Sequence, residues 1–237
     1  MKKIILVLFL FFVSCSDNEI VSNNDLNIDE TTSTVFSEKV STTTTSIYVS
    51  QLDSFTNQTY VISKEKSLVS YHAPKQFLNS GLEVVTGSTN EIIGEFTLSL
   101  SECDLADSCV FIQNLIVRVD ISTLNSKNSI RDSAIKTQWL ESKLFPEAVF
   151  RIEELVLPNR DFDSKIEDTI VGKFSIREIE LDTPFSISAY FINDEIHITA
   201  FTEIDTTWFG FDPPTKFNAW EVLNPIDISV EIIAVKK

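Results

Sequence analysis

The feature that most constrains this chain is a period-two alternation of apolar and polar residues that recurs along most of its length and is interrupted once. Leu115, Val117, Val119 and Ile121 occupy every second position of one run. Ile92, Phe96, Leu98 and Leu100 share a stretch with Glu95, Thr97 and Ser99 on the other face. Phe150 and Ile152 alternate with Arg151 and Glu153, and Phe185, Ile187, Ala189 and Phe191 with Ser186, Ser188 and Tyr190. Ile226, Ile228, Val230 and Ile232 alternate with Asp227, Ser229 and Glu231. Each pattern puts one strand face in an apolar interior and the other in water. A further strand is predicted over Thr169 to Ile179, after the loop Asn159 to Ser164, and Asn193-Asp194 predicts a hairpin turn into Ile196, Ile198 and Ala200. Closely spaced strands with hairpin-length loops predict an all-β fold, a lipocalin-like up-and-down antiparallel barrel of about eight strands.

The interruption lies between Val119 and Phe150. Ser122, Asn125, Ser126 and Asn128 supply turn chemistry and candidate N-caps. Ile130, Ile135, Leu140 and Leu144 are apolar points on a polar background, and Pro146 stops the helical pattern. One helical excursion between two long strands is expected to lie across the sheet or over the end of the barrel.

The start of the chain follows a different logic. Lys2-Lys3 precedes an apolar run from Ile4 to Val13, too short to span a bilayer and suited to a secretory leader. Its end, Phe12-Val13-Ser14-Cys15, resembles a bacterial lipobox, in which the cysteine becomes the acylated mature N-terminus. Residues 1–14 are therefore read as a lipoprotein signal peptide and Cys15 as the lipidation site. Residues 15–58 read as a tether rich in Ser, Thr and Asn, and residues 59–237 as the barrel. Several acyl chains on Cys15 would anchor the protein in the bacterial cell envelope, on the periplasm-facing outer membrane or the cell surface. With Cys15 acylated, the remaining two of 3 cysteines, Cys103 and Cys109, form an even pair in an oxidising compartment. They flank a short loop between two strand runs, so a hairpin-closing disulfide is expected.

Catalytic chemistry finds little support. His72 and His197 are the 2 histidines, too few for a three-histidine zinc site. The alternation of His197 with Ile196 and Ile198 predicts an exposed position on the outer face. No nucleophile elbow, metalloprotease helix or phosphate loop occurs, and 5 Gly leave little material for one. Asp161, Asp163, Glu167 and Asp168 lack the loop glycine and spacing of a calcium loop. The expectation is no enzyme and no metal. A formal charge of −16 argues against nucleic-acid partners and against electrostatic docking on anionic lipid.

Asp120-Ile121, then Ser129-Ile130-Arg131-Asp132, then Phe145-Pro146 followed by Phe150 resemble the signature of the YceI family. Those are bacterial periplasmic or secreted β-barrels holding a polyisoprenoid or similar lipid in an apolar channel. Tyr60-Val61-Ile62, Ser67 to Tyr71, Gly87 through Phe96, Val171 to Ile176 and Phe209-Gly210-Phe211 fall in the matching order, so the resemblance covers Thr59 to Lys237. Ser133-Ala134-Ile135 and Arg177-Glu178 depart from the family pattern. The resemblance implies non-catalytic carriage of a long apolar lipid, such as a polyisoprenoid or isoprenoid quinone, and no other cofactor. The implied partners are that lipid and the anchoring membrane, with a homodimer also admitted. The resemblance singles out Arg131 and Asp132, either near a lipid head group or anchoring the helix. If the barrel is a carrier, alternation nominates Phe96, Val117, Val119, Phe150, Phe174, Ile176, Phe185, Ile187, Ile198, Ile228 and Val230 as its lining. The alternative is a barrel filled by its own side chains, a structural or stress-response surface lipoprotein without ligand. Filler and lining use the same residue types, so alternation leaves both open.

Overall fold

Among the described residues, twelve strands form one antiparallel sheet, and eight of them close on themselves. The computed structural model describes residues 57–105, 109–158 and 165–237. Residues 1–56 with Cys15, and the loop with Asp161 and Asp163, lie outside the described residues. The first five strands are β1 (Gln58–Ile62), β2 (Leu68–Phe77), β3 (Gly81–Thr89), β4 (Ile92–Ser101) and β5 (Cys109–Asp120). A short helix, α1 (Ser129–Ala134), precedes β6 (Glu147–Pro158), β7 (Ile166–Ile176), β8 (Ile179–Ile192) and β9 (Glu195–Ile204). The chain ends with β10 (Thr215–Lys216), β11 (Trp220–Val222) and β12 (Ile226–Lys236).

The ring runs β1-β4-β5-β6-β7-β8-β9-β12 and returns to β1. From β4 to β9, neighbours in space are neighbours in sequence, the order that hairpin connections impose. Asn193 and Asp194 make one such turn with φ of 49° and 66°, the paired left-handed conformations of a type I′ hairpin. The strand predicted to run on to Ile179 instead ends at Ile176 and turns at Arg177-Glu178, where Arg177 has φ of 57°. No Gly or Asn marks that turn. Tertiary contacts hold it: the Arg177 guanidinium donates to Glu141 at 2.9 Å and to the Gly210 carbonyl at 3.4 Å.

The seam of the barrel is split lengthwise. β12 pairs through Ala234 to Lys236 with β1 and through Asp227 to Glu231 with β2, across a 3₁₀ turn at Lys64–Lys66. Ser67 spans the break, its hydroxyl accepting from the Ile233 amide at 3.1 Å. Beyond the break, β2 carries β3 on one edge and the short β11 on its other, so the wall flares at this end. The flare is bridged to the segment before α1 by reciprocal amide bonds of 3.0 Å between Ser88 and Asn125. The antiparallel order brings the β7–β8 turn, the last residues of β5 and β9 and the first of β6 and β12 to the flared end. The helical segment and the connection from Asp205 to Pro225 lie there too; this end is the mouth.

At the opposite end the interior is solid. Tyr60 and Ala234 are fully buried, and Tyr60 stacks on Phe96 at 5.6 Å between ring centres while Phe191 meets it edge-on at 6.4 Å. Leu98 and Ile196 belong to the same buried cluster. Cys103 and Cys109, which join the outer ends of β4 and β5, are linked by a disulfide with Cα atoms 5.8 Å apart.

Candidate functional site: an apolar cavity behind a helical mouth

A cavity of about 650 Å³ occupies the barrel between the solid end and the mouth. Its wall is drawn from the inward faces of β2, β5 to β9 and β12, where alternation leaves every second residue pointing inward. Of the eleven nominated residues, Val117, Val119, Phe150, Phe174, Ile176, Phe185, Ile187, Ile198, Ile228 and Val230 line it. Phe96 does not. It is 5 % exposed and belongs to the plug under Tyr60, because alternation fixes the face of a residue but not its height in the barrel.

Aromatic rings narrow the middle of the cavity. Phe150 and Phe185 meet edge-to-face at 4.8 Å, Phe185 and Phe174 at 5.7 Å, and Phe174 and Phe209 at 5.6 Å. Each such pair is worth about 0.5–1.5 kcal/mol beyond area burial. Gly172 makes the cluster possible: a Cβ there would sit 2.3 Å from Cζ of Phe150. Gly87 does the same at the flare, where a Cβ would lie 2.4 Å from Cε1 of Tyr71, its cross-strand partner.

Over the mouth, α1 is one turn and a half long and passes into a single π turn over Ile135–Trp139. The Leu140 amide reaches back five residues to the Ile135 carbonyl at 2.9 Å. The five-residue spacing of Ile130, Ile135 and Leu140 fits this wider turn, and all three line the cavity. Leu144, the fourth apolar point of this stretch, is 73 % exposed beyond the end of the helical segment.

Asn128 caps α1 by accepting from the Arg131 amide at 3.0 Å. Asp132 does not cap it. Its carboxylate accepts from the Ser126 amide at 3.0 Å and from the Ser126 hydroxyl. Arg131 completes the clasp, donating through Nε to the Ser126 hydroxyl at 2.7 Å and through Nη2 to the Ser126 carbonyl at 2.8 Å. The pair therefore ties the helix to the segment that bridges the flare, and the stem of Arg131 also lines the cavity. Beside this clasp, burial pushes the Tyr71 phenol above its ordinary pKa, partly opposed by Ser126 and Arg131. Its hydroxyl is buried beside Ser126 and Arg131.

Several lining residues were not nominated from sequence. Val85 of β3, Trp139, Phe211, Trp220 and Val222 enter through the flare, the helix and the final connection, which carry no sustained alternation. His197 sits on the outer face as expected, yet its side chain is only 24 % exposed, stacked on Tyr190 at 5.2 Å and 3.6 Å from Glu195. Among the described residues, no cluster of His, Cys, Asp or Glu is arranged to hold a metal.

The closed ring, the plug at one end and the apolar interior define a lipocalin-like barrel with a single helical cover. The model of the YceI-like domain matches residues 60–234, and the chain belongs to that family. Among solved structures, a polyisoprenoid-binding domain from Saccharophagus degradans, implicated in plant cell wall breakdown, superposes with a TM-score of 0.56 at 7% identity. That match covers 75% of this chain and 98% of the other. BcnA of Burkholderia cenocepacia gives 0.51 at 13% identity, covering 73% of this chain and 99% of that one. Both likenesses are of fold. Comparison with curated protein sequences gives no match.

Proposed function

We propose that this barrel binds and carries, without catalysis, one long apolar lipid, a polyisoprenoid, an isoprenoid quinone or a similar chain. The carrier is held at a membrane of the cell envelope by acylated Cys15. The observation that carries the reading is the cavity: about 650 Å³, enclosed by a wall of Val, Ile and Phe, and reached through one mouth. That volume falls within the ~300–1,000 Å³ of ligand pockets. Family membership and the polyisoprenoid-binding neighbour support the same ligand class. The alternative of a barrel filled by its own side chains describes the plugged end only.

A wall of this kind recognises length. Burying one methylene is worth about 0.8 kcal/mol, so affinity rises steeply with each isoprene unit until the cavity is full. Salt has little leverage on such binding, because screening acts on charges. Titrating the protein with isoprenoid alcohols of increasing length, at low and high salt, tests this. Length-dependent, salt-insensitive binding that Phe174→Trp shifts toward shorter chains is expected. Affinity independent of length, or unchanged by Phe174→Trp in a protein with native circular dichroism, would overturn it.

A further inference from the structure

The lysines are sorted between the wall and the mouth. Lys64, Lys66, Lys165, Lys173, Lys236 and Lys237 each form an ion pair with a carboxylate, at 2.5–3.0 Å. Lys75, Lys127, Lys136, Lys143 and Lys216 form none among the described residues, and all five stand at the mouth. Lys75 instead lies over the rings of Phe77 and Trp220, at 4.6 and 4.2 Å. Within residues 127–144 the carboxylates are Asp132 and Glu141, engaged by Ser126 and Arg177 respectively. Glu83 lies opposite Lys75 and Asp212 and Glu221 flank Lys216, yet none of these carboxylates forms an ion pair with a mouth lysine among the described residues.

Exposed apolar side chains gather at the same end. Phe217 is 91 % exposed, Ile130 83 %, Leu144 73 % and Leu78 69 %. Phe217 adjoins Lys216 and Leu144 adjoins Lys143, while the Leu78 amide bonds to the Ala219 carbonyl in the hairpin carrying Phe217. All 3 tryptophans of the chain are here too: Trp139 and Trp220 on the cavity wall and Trp208 on the 3₁₀ turn after β9. Tryptophan with unpaired lysine beside exposed aliphatic groups is the composition of side chains that settle at a bilayer interface. A chain of charge −16 would be repelled by an anionic surface if that charge were evenly spread. Here the distribution matters more than the sum.

We propose that the mouth docks on an anionic phospholipid bilayer, so that the cavity opens into the lipid rather than into water. The proposal rests on the lipid-carrier reading, because an apolar chain that enters from a bilayer avoids exposing its methylenes on the way. Each lysine close to an anionic surface strengthens partitioning about fivefold. Lys127, Lys136, Lys143 and Phe217 do not line the cavity, so changing them separates docking from ligand holding.

The test uses the full chain with Cys15→Ser, so that no acyl anchor masks the surface, and with Trp139→Phe and Trp220→Phe, leaving Trp208 as the reporter. Phosphatidylcholine vesicles with bromine-labelled acyl chains, with or without phosphatidylglycerol, are the probe. Trp208 fluorescence should be quenched and blue-shifted by the anionic vesicles at low salt. Lys127→Glu with Lys136→Glu and Lys143→Glu should weaken partitioning by at least roughly 100-fold, and Phe217→Ser should reduce the quenching. In the chain that keeps all three tryptophans, the same lysine changes should leave the lipid recovered by organic extraction unaltered. Absence of quenching in a protein that still holds lipid overturns the docking proposal and leaves the carrier reading standing. Loss of a vesicle-independent dimer on the same reversals would assign this face to a second copy, and also overturns it.

Discussion

The two ends of the barrel are made of the same residue types and do opposite things with them. At the plugged end, Tyr60, Phe96 and Phe191 pack ring against ring, and Ala234 is small enough to let them meet. At the mouth, Trp208, Phe217, Ile130 and Leu144 have nothing packed over most of their surface. Between the two ends the Phe150–Phe185–Phe174 group narrows the bore without closing it. Closure at one end and opening at the other make a blind tube, which suits a ligand entering by one terminus. The same apolar residue types are packed at the plug and exposed at the mouth.

The largest expected effect follows at the plug. Phe96→Ala removes a buried ring from a closed core and should cost about 3–5 kcal/mol in urea denaturation, with the lengths of bound lipid unchanged. If the variant is as stable as wild type, the plug is not a core and the comparison fails.

Much of this contrast was legible in the chain, for physical reasons that differ by region. Strand alternation identified the inward faces, which is why ten of the nominated residues reach the cavity wall. Phe96 was misplaced because a period of two carries no information on depth. Depth is set by register, here Tyr60 opposite Phe96. The turn at Arg177-Glu178 was hidden because a salt bridge from Glu141, thirty-six residues away, does the work usually left to glycine or asparagine. The helical cover was visible as a break in alternation, but Ile130, Ile135 and Leu140 recur at five, a spacing that signals a π turn once that geometry is considered. The connection from Phe211 to Val222 offered neither period, so Trp220 and Val222 could be assigned to the wall only by the β11–β2 pairing.

The disulfide sharpens the comparison next. It closes a six-residue separation at the plugged end. Loop-closure entropy puts the loss for Cys103→Ser with Cys109→Ser at about 2 kcal/mol. Thermal unfolding should register it while ligand recovery stays constant. A change in bound lipid would mean that the two ends communicate.

Alkali should act on both ends through buried phenols. Burial raises the pKa of Tyr60, with the Asp194 carboxylate adding to it, and burial likewise raises that of Tyr71. Groups whose folded pKa lies above the unfolded value contribute stability that is complete below about pH 10 and is lost as pH rises through the folded values. Denaturant midpoints should therefore hold level up to about pH 10 and fall above it. Tyr60→Phe should flatten that fall; an unaltered profile would remove Tyr60 from the account. At the small end of the scale, Leu144→Ser at the mouth should shift stability by no more than about 0.5 kcal/mol. A loss several times greater would show that the mouth is packed after all.

The most direct test of the central claim is mass spectrometry of organic extracts from natively purified protein, supported by native mass spectra of the intact complex. The account predicts one long apolar chain per barrel, drawn from a narrow range of lengths and displaced by added isoprenoid quinone or polyisoprenoid. Correctly folded protein that carries no lipid, and retains none after exposure to isoprenoid quinones and long-chain lipids, would contradict it.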